Sequence, residues 1–200
     1  MPIRSRVRPK SQAAKTEIAP GAVVLVGFMG AGKSSVGRVM GQRLNWIFED
    51  LDDRIERRQG NTVAEIFRAG GEQAFRRAER AALQEVLEEL PRGPSRIIAL
   101  GGGAFVQKGN AVLLKAAGVP TIFLDAPVEE LWRRCREQAG KVGTQRPLLG
   151  STKRFCALYE ARRNGYSKAS LRIETGSRSV EEIASEIAQS LGLHNSQTAR

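Results

Sequence analysis

The sequence predicts an α/β fold, a parallel sheet of about five strands with helices on both faces. Three observations carry this. The wholly apolar run Ala22–Val26 leads into a glycine-rich turn and then a helical pattern. A strand buried on both faces reads this way. Further short apolar runs recur downstream, and segments of helical periodicity separate them. Finally, 200 residues with 41% hydrophobic content suit one such domain with short additions.

Taken in order, residues 1–20 are polar, basic and interrupted by Pro2, Pro9 and Pro20. They are expected to form a disordered tail. The domain is expected over 21–192, with a polar tail over 193–200. After the first strand a helix is predicted over Lys33–Leu44, and Trp46, Ile47 and Phe48 suggest a second strand ending at Glu49, Asp50, Asp52 and Asp53. Thr62 to Glu65 has capping-box spacing and should start a helix. Gly70-Gly71 should break the chain before a long charged helix over about residues 72–89. Residues 96–100 and 121–124 read as strands, 128–137 as a helix, and 138–150 as a mobile, glycine-containing lid. A helix near 153–163, a last strand over 171–174 and a capping box at Ser179 to Glu182 complete the pattern.

Composition narrows the function. The net charge of +11 and pI near 10.5 favour anionic partners. Part of that charge lies in the tail, at Arg4, Arg6, Arg8, Lys10 and Lys15. No zinc-finger spacing or basic-aromatic stripe is present, so nucleic-acid binding is not favoured. No apolar run is long enough for a membrane helix, and the basic N-terminus lacks a secretory h-region. Cys135 and Cys156 form no CxxC pair. They are expected on helices as reduced thiols, which suits the cytoplasm. The single histidine, His194, lies in the C-terminal tail. A general base in the body of the protein must therefore be a carboxylate, lysine, tyrosine or thiol, and histidine-based triads are not favoured.

Gly27-Phe-Met-Gly-Ala-Gly32-Lys33-Ser34 matches Gly-x-x-x-x-Gly-Lys-Ser in full, between a strand and a helix. The glycines let successive N–H groups turn inward onto phosphate, and the helix N-terminus adds positive potential. Gly30, Ala31, Gly32, Lys33, Ser34 and Ser35 are thus candidate ATP-binding residues. Lys33 would reach the β- and γ-phosphates, and Ser34 would ligate Mg²⁺. The motif by itself leaves kinase, switch and motor open.

Asp50 and Asp52 follow the second strand, where ligands gather in an open α/β sheet. Either could hold Mg²⁺ waters or accept a hydroxyl proton. Alone, the pair would equally suit a solvated turn capping a helix. Arg76 and Glu79 lie three apart on a helix, so the carboxylate could orient the guanidinium for an anionic substrate. A surface ion pair is the plainer alternative. Gly101-Gly102-Gly103 after a strand would allow close backbone approach to a ligand, or be only a flexible turn.

Together, GFMGAGKS, FEDLD, GEQAFRRAE, ALGGGA, RPLL and an arginine-bearing helix ahead of Tyr166 resemble the shikimate kinase family over roughly residues 22–190. The resemblance implies ATP-dependent, Mg²⁺-assisted phosphorylation of the shikimate 3-hydroxyl, in the cytoplasm, by a monomer. It implies that Asp50 orders Mg²⁺ waters and that Asp52 contacts the hydroxyl as base. Arg76 would clamp the carboxylate with support from Glu79, and Gly101, Gly102 and Gly103 would line the substrate. Phe67 and Phe75 would wall the ring, residues about 50–90 would form the substrate-binding helices, and Arg146 would be the lid arginine. Some positions depart from the pattern. Ser35 stands where threonine is usual. Arg162-Arg163-Asn164-Gly165-Tyr166 lacks the usual proline, so Arg162 fits the second carboxylate arginine by spacing and Arg163 is the alternative. Ala139 falls near the usual adenine-side arginine, which leaves Arg178 as the candidate there. Competing readings are a related kinase acting on gluconate or a nucleoside monophosphate, and a kinase-like fold serving as a ligand sensor or DNA-binding regulator.

Overall fold

A computed structural model describes residues 21–142 and 150–193. The tail expected over 1–20, all but Leu193 of the C-terminal one, and Arg146 lie outside the described residues. Five strands are described: β1 (Ala22–Val26), β2 (Ile47–Asp50), β3 (Arg96–Ala99), β4 (Thr121–Asp125) and β5 (Leu171–Glu174). All pair in parallel in the order β2-β3-β1-β4-β5. The helices are α1 (Lys33–Leu44), α2 (Leu51–Gln59), α3 (Val63–Glu89), α4 (Lys108–Ala116), α5 (Val128–Val142), α6 (Thr152–Tyr166) and α7 (Val180–Ser190). Strands β1 and β4 are buried throughout, as continuous apolar runs require when helices cover both sheet faces.

The register decides where the strands deliver the chain. Asp50 pairs with Ala99, and Ala99 with Leu25. Three strands therefore end at one level, and the residues just beyond them, Asp52, Gly101 and Gly27, emerge at one edge of the sheet.

Strand β2 runs further than the apolar signal indicates, through Glu49 and Asp50. Glu49 is buried at an otherwise costly position because Arg96 and Arg54 meet it at 2.9 and 3.3 Å. Arg96 and Arg54 also pair with Glu89, which closes a four-membered ring of charge across β2, α2, β3 and α3. Helix α4 has no counterpart in the sequence pattern. Gly109 and Asn110 disguise its first turn, yet Asn110 is buried there and donates to the Ala104 carbonyl at 3.1 Å. Helix α5 continues to Val142, so residues 138–142 are helical rather than part of the expected loop. One glycine costs a helix only about 1 kcal/mol, and no proline stops propagation there.

Both capping boxes form, Thr62 with Glu65 and Ser179 with Glu182. The expected break falls at Gly71, which has φ 66° and ψ −170° inside α3. This backbone state is essentially restricted to glycine. The kink separates the turn carrying Phe67 from the turn carrying Phe75 and Arg76, yet the two rings stack at 4.6 Å. Gly71→Ala meets no steric neighbour, so its cost is backbone strain alone. It should lower stability by about 1–3 kcal/mol in urea melts.

Candidate active site

The phosphate loop starts where β1 ends. Gly27, Gly30 and Gly32 have φ of 146°, 80° and 89°, values that L side chains rarely adopt. At Gly30 a side chain would also strike the Leu131 carbonyl and Cys135. The loop therefore curls tightly against α5 and opens α1 at Lys33. The Lys33 ammonium donates to the Gly27 and Phe28 carbonyls, each at 3.0 Å. Ser34 Oγ donates to Asp50 Oδ2 at 2.9 Å.

Asp50 is the N-cap of α2, and its other oxygen accepts from the Asp52 amide at 3.1 Å. Capping thus fixes Asp50 and turns the next residues into the cleft. Asp52 Oδ1 is buried with no hydrogen-bond partner. Burial pushes the Asp52 carboxyl up to about 6, repulsion by Asp50 adds to this, and Lys33 opposes it.

The triple glycine meets these groups at very short range. A side chain at Gly101 would lie 2.8 Å from Asp52 Oδ1 and 3.4 Å from Glu79 Oε1. One at Gly103 would lie 2.5 Å from the Arg76 guanidinium. Close approach therefore favours glycine at 101 and 103, whereas Gly102 has ordinary room. Arg76 donates to both oxygens of Glu79 at 2.9–3.0 Å and to Glu72 at 3.1 Å. Glu79 is only 1% exposed, and burial raises its carboxyl, which Arg76 counters. A fixed guanidinium therefore lies beside the stacked Phe67 and Phe75 rings, with its carbon 5.3 Å from the Phe75 centroid.

Helix α6 closes the third side. Arg162 donates to the Gly102 carbonyl at 3.2 Å, and the Tyr166 hydroxyl donates to the same oxygen. Arg163 lies elsewhere, lining a separate cavity with Asp125, Tyr159 and Arg172. Spacing alone leaves these two arginines open, and the structure brings Arg162 to the glycine turn.

Gly30, Gly32, Lys33, Ser34, Ser35, Asp50, Asp52, Gly101 and Gly102 line one cleft of about 240 Å³. Ala31 lies in the loop itself with its methyl buried. Met29, Leu100 and Gln138 also line the cleft. Met29 stands at a variable position of the loop motif, where only its neighbours could have marked it. Gln138 needed the longer α5. Arg178 is not among the lining residues. It donates to the Glu174 carbonyl and pairs with Glu186 at 2.5 Å. The segment next to it is held instead by Arg134, which donates to the carbonyls of Thr175 and Gly176. No sequence motif marked Arg134.

A parallel five-stranded sheet, a phosphate loop after its central strand, the Asp52 carboxylate in the cleft beside that loop and the Arg76 guanidinium at the adjoining glycine turn define a P-loop kinase. A family model for shikimate kinase matches residues 29–192. A shikimate kinase of Geobacter sulfurreducens is 42% identical over 169 residues, 83% of this chain and 88% of that protein. Another, of Cereibacter sphaeroides, is 40% identical over 169 residues, 84% and 81% of the two chains. The solved shikimate kinase from Acinetobacter baumannii in complex with shikimate aligns with a TM-score of 0.75 at 31% identity, covering 89% of this chain and 95% of that one. The chain belongs to the shikimate kinase family.

The raised Asp52 carboxyl has a consequence for stability. Its folded value lies above the ordinary 3.8, so the folded state binds the proton more tightly than the unfolded chain does. The associated stability is complete below pH 3.8 and is lost as pH rises through about 6. Asp52→Asn should therefore stabilise the protein at pH 8 by about 2 kcal/mol, less than the full shift because the group is partly exposed. The gain should shrink towards pH 4, and thermal melts across that range measure it.

Proposed function

We propose that this chain transfers the γ-phosphoryl group of ATP to the 3-hydroxyl of shikimate, giving shikimate 3-phosphate and ADP, a step towards chorismate and the aromatic amino acids. The observation that carries this reading is the triple-glycine turn, which brings the unpartnered Asp52 oxygen and the Arg76–Glu79 clamp together beside the phosphate loop. Phosphoryl transfer depends on positioning and charge neutralisation, and the cleft offers both.

Arg76 takes the shikimate carboxylate, held in orientation by Glu79 and Glu72. Arg162 takes it from the other side. Gly101, Gly102 and Gly103 let the ring approach the backbone, and Phe67 and Phe75 wall it. Asp52 accepts the hydroxyl proton, and burial keeps its basicity high enough to do so. The loop amides of Gly30, Ala31, Gly32, Ser34 and Ser35 cradle the phosphates, and Lys33 exchanges its two carbonyl partners for phosphate oxygens. Arg146, outside the described residues, adds a cation to the phosphates by its place in Arg146-Pro147-Leu148-Leu149. Arg178 remains the candidate for the adenine side, although its present partners would have to yield.

Mg²⁺ fits the residues present. Ser34 Oγ and Asp50 Oδ2 form a pair of hard oxygen donors beside the loop. Mg²⁺ takes one or two protein oxygens and fills its shell with phosphate and water. Ser34 would hold it directly and Asp50 through water, and when bound it supplies charge neutralisation to the phosphates. The reading includes a monomer in the cytoplasm. Neither Cys135 nor Cys156 is joined in a disulfide among the described residues, and no helix among them is long and apolar enough to cross a membrane.

ADP release coupled to a reporter, with Mg-ATP and either shikimate, gluconate or no acceptor, tests the reaction. Shikimate alone should stimulate release, and stimulation by gluconate instead would overturn the substrate. The acid limb of kcat/KM should titrate near pH 6, activity being lost as Asp52 takes up its proton. Asp52→Asn should lower kcat by about 10²–10⁴-fold. Arg76→Ala should raise the KM for shikimate by at least about tenfold while the KM for ATP stays within about twofold.

A further inference from the structure

Phe28 stands at a variable position of the phosphate loop, yet its ring belongs to a different part of the molecule. The residue is 1% exposed. Its carbonyl works within the loop, accepting from the Ala31 amide at 3.2 Å and from the Lys33 ammonium at 3.0 Å. The ring meets α6 edge-on, at 5.0 Å from Phe155 and 5.5 Å from Tyr159, with interplanar angles of 85° and 79°. The Arg162 guanidinium carbon lies 5.9 Å from the same ring. Residues 155, 159 and 162 are successive neighbours on one face of α6. Phe28 therefore touches the arginine-bearing face of that helix over two turns.

Edge-to-face contacts and cation–ring contacts are directional, so they fix orientation as well as filling space. Arg162 has no carboxylate within ion-pairing distance among the described residues, and it donates to a neutral carbonyl. Its charge is thus available to an anion, and the ring is what lies beneath it. We propose that Phe28 is a positioning residue for the acceptor: its ring sets α6 so that Arg162 is presented at the Gly102 turn to the substrate's carboxylate. This rests on the reading that the cleft binds shikimate. Phe28 acts through Arg162 and touches neither reacting group.

Phe28→Leu keeps apolar bulk and removes the ring. It should raise the KM for shikimate by about tenfold and leave the KM for ATP within about twofold. Arg162→Ala should raise the shikimate KM too, and adding Phe28→Leu to it should change little more. Equal rises in both KM values, or full additivity in the double variant, would overturn the proposal. If Phe28→Leu does not fold, Phe155→Leu attacks the same contact from α6, and the same asymmetry is expected there; a symmetrical loss again overturns it. Shikimate-stimulated ADP release by the unmodified chain is measured alongside. If that stimulation is absent, both the reaction and the positioning role fall. If it is present with symmetrical losses in the variants, the positioning role alone falls.

Discussion

The pairing of β3 with both β2 and β1 places Asp50, Ala99 and Leu25 at one level across the sheet. Parallel strands must all exit in the same direction, so their C-terminal continuations are forced to share one edge. The phosphate loop, the acidic turn into α2 and the triple glycine are those continuations. A shift of one residue in the β2–β3 register would turn Asp50 to the other face and separate it from Ser34. The charged ring of Glu49, Arg96, Glu89 and Arg54 lies on that pairing, and its geometry suits one register only.

The cleft built at this edge works against the stability of the fold. Asp52 holds an unpartnered oxygen in a buried place, near a second aspartate, and its carboxyl rises in response. Such an arrangement persists only where surrounding structure determines it, and the α2 cap and the glycine turn do so here. Arg76 and Glu79 show the opposite solution. There the buried charge is matched: one guanidinium nitrogen meets both Glu79 oxygens and the other two meet Glu72, so the guanidinium is held rigid.

Helix α6 links these two halves. Its aromatic face packs on Phe28 of the phosphate loop, and its last turns carry Arg162 and Tyr166 to the Gly102 carbonyl. Phosphate loop and glycine turn are therefore braced by the same helix, although they are separated by more than sixty residues in the chain.

Much of this was legible in the sequence. The fold class followed from apolar runs alternating with helical periods, because strands buried on both faces admit almost no polar residue. The phosphate loop, both capping boxes and the Gly71 break were readable because their chemistry is local and depends on a few neighbours. Asp52, Arg76 and the triple glycine could be named as candidates, yet each also had a plain surface explanation. Only tertiary structure brought Asp52 to Gly101 and Arg76 to Gly103. It also extended β2 through Glu49, since the balancing arginines come from α2 and β3, and it revealed α4, whose buried Asn110 looks polar in the sequence. The choice between Arg162 and Arg163 shows the division most clearly. Adjacent residues on a helix differ by about 100° in direction, and the sequence supplies no reference for that angle. The packing of α6 on Phe28 supplies it.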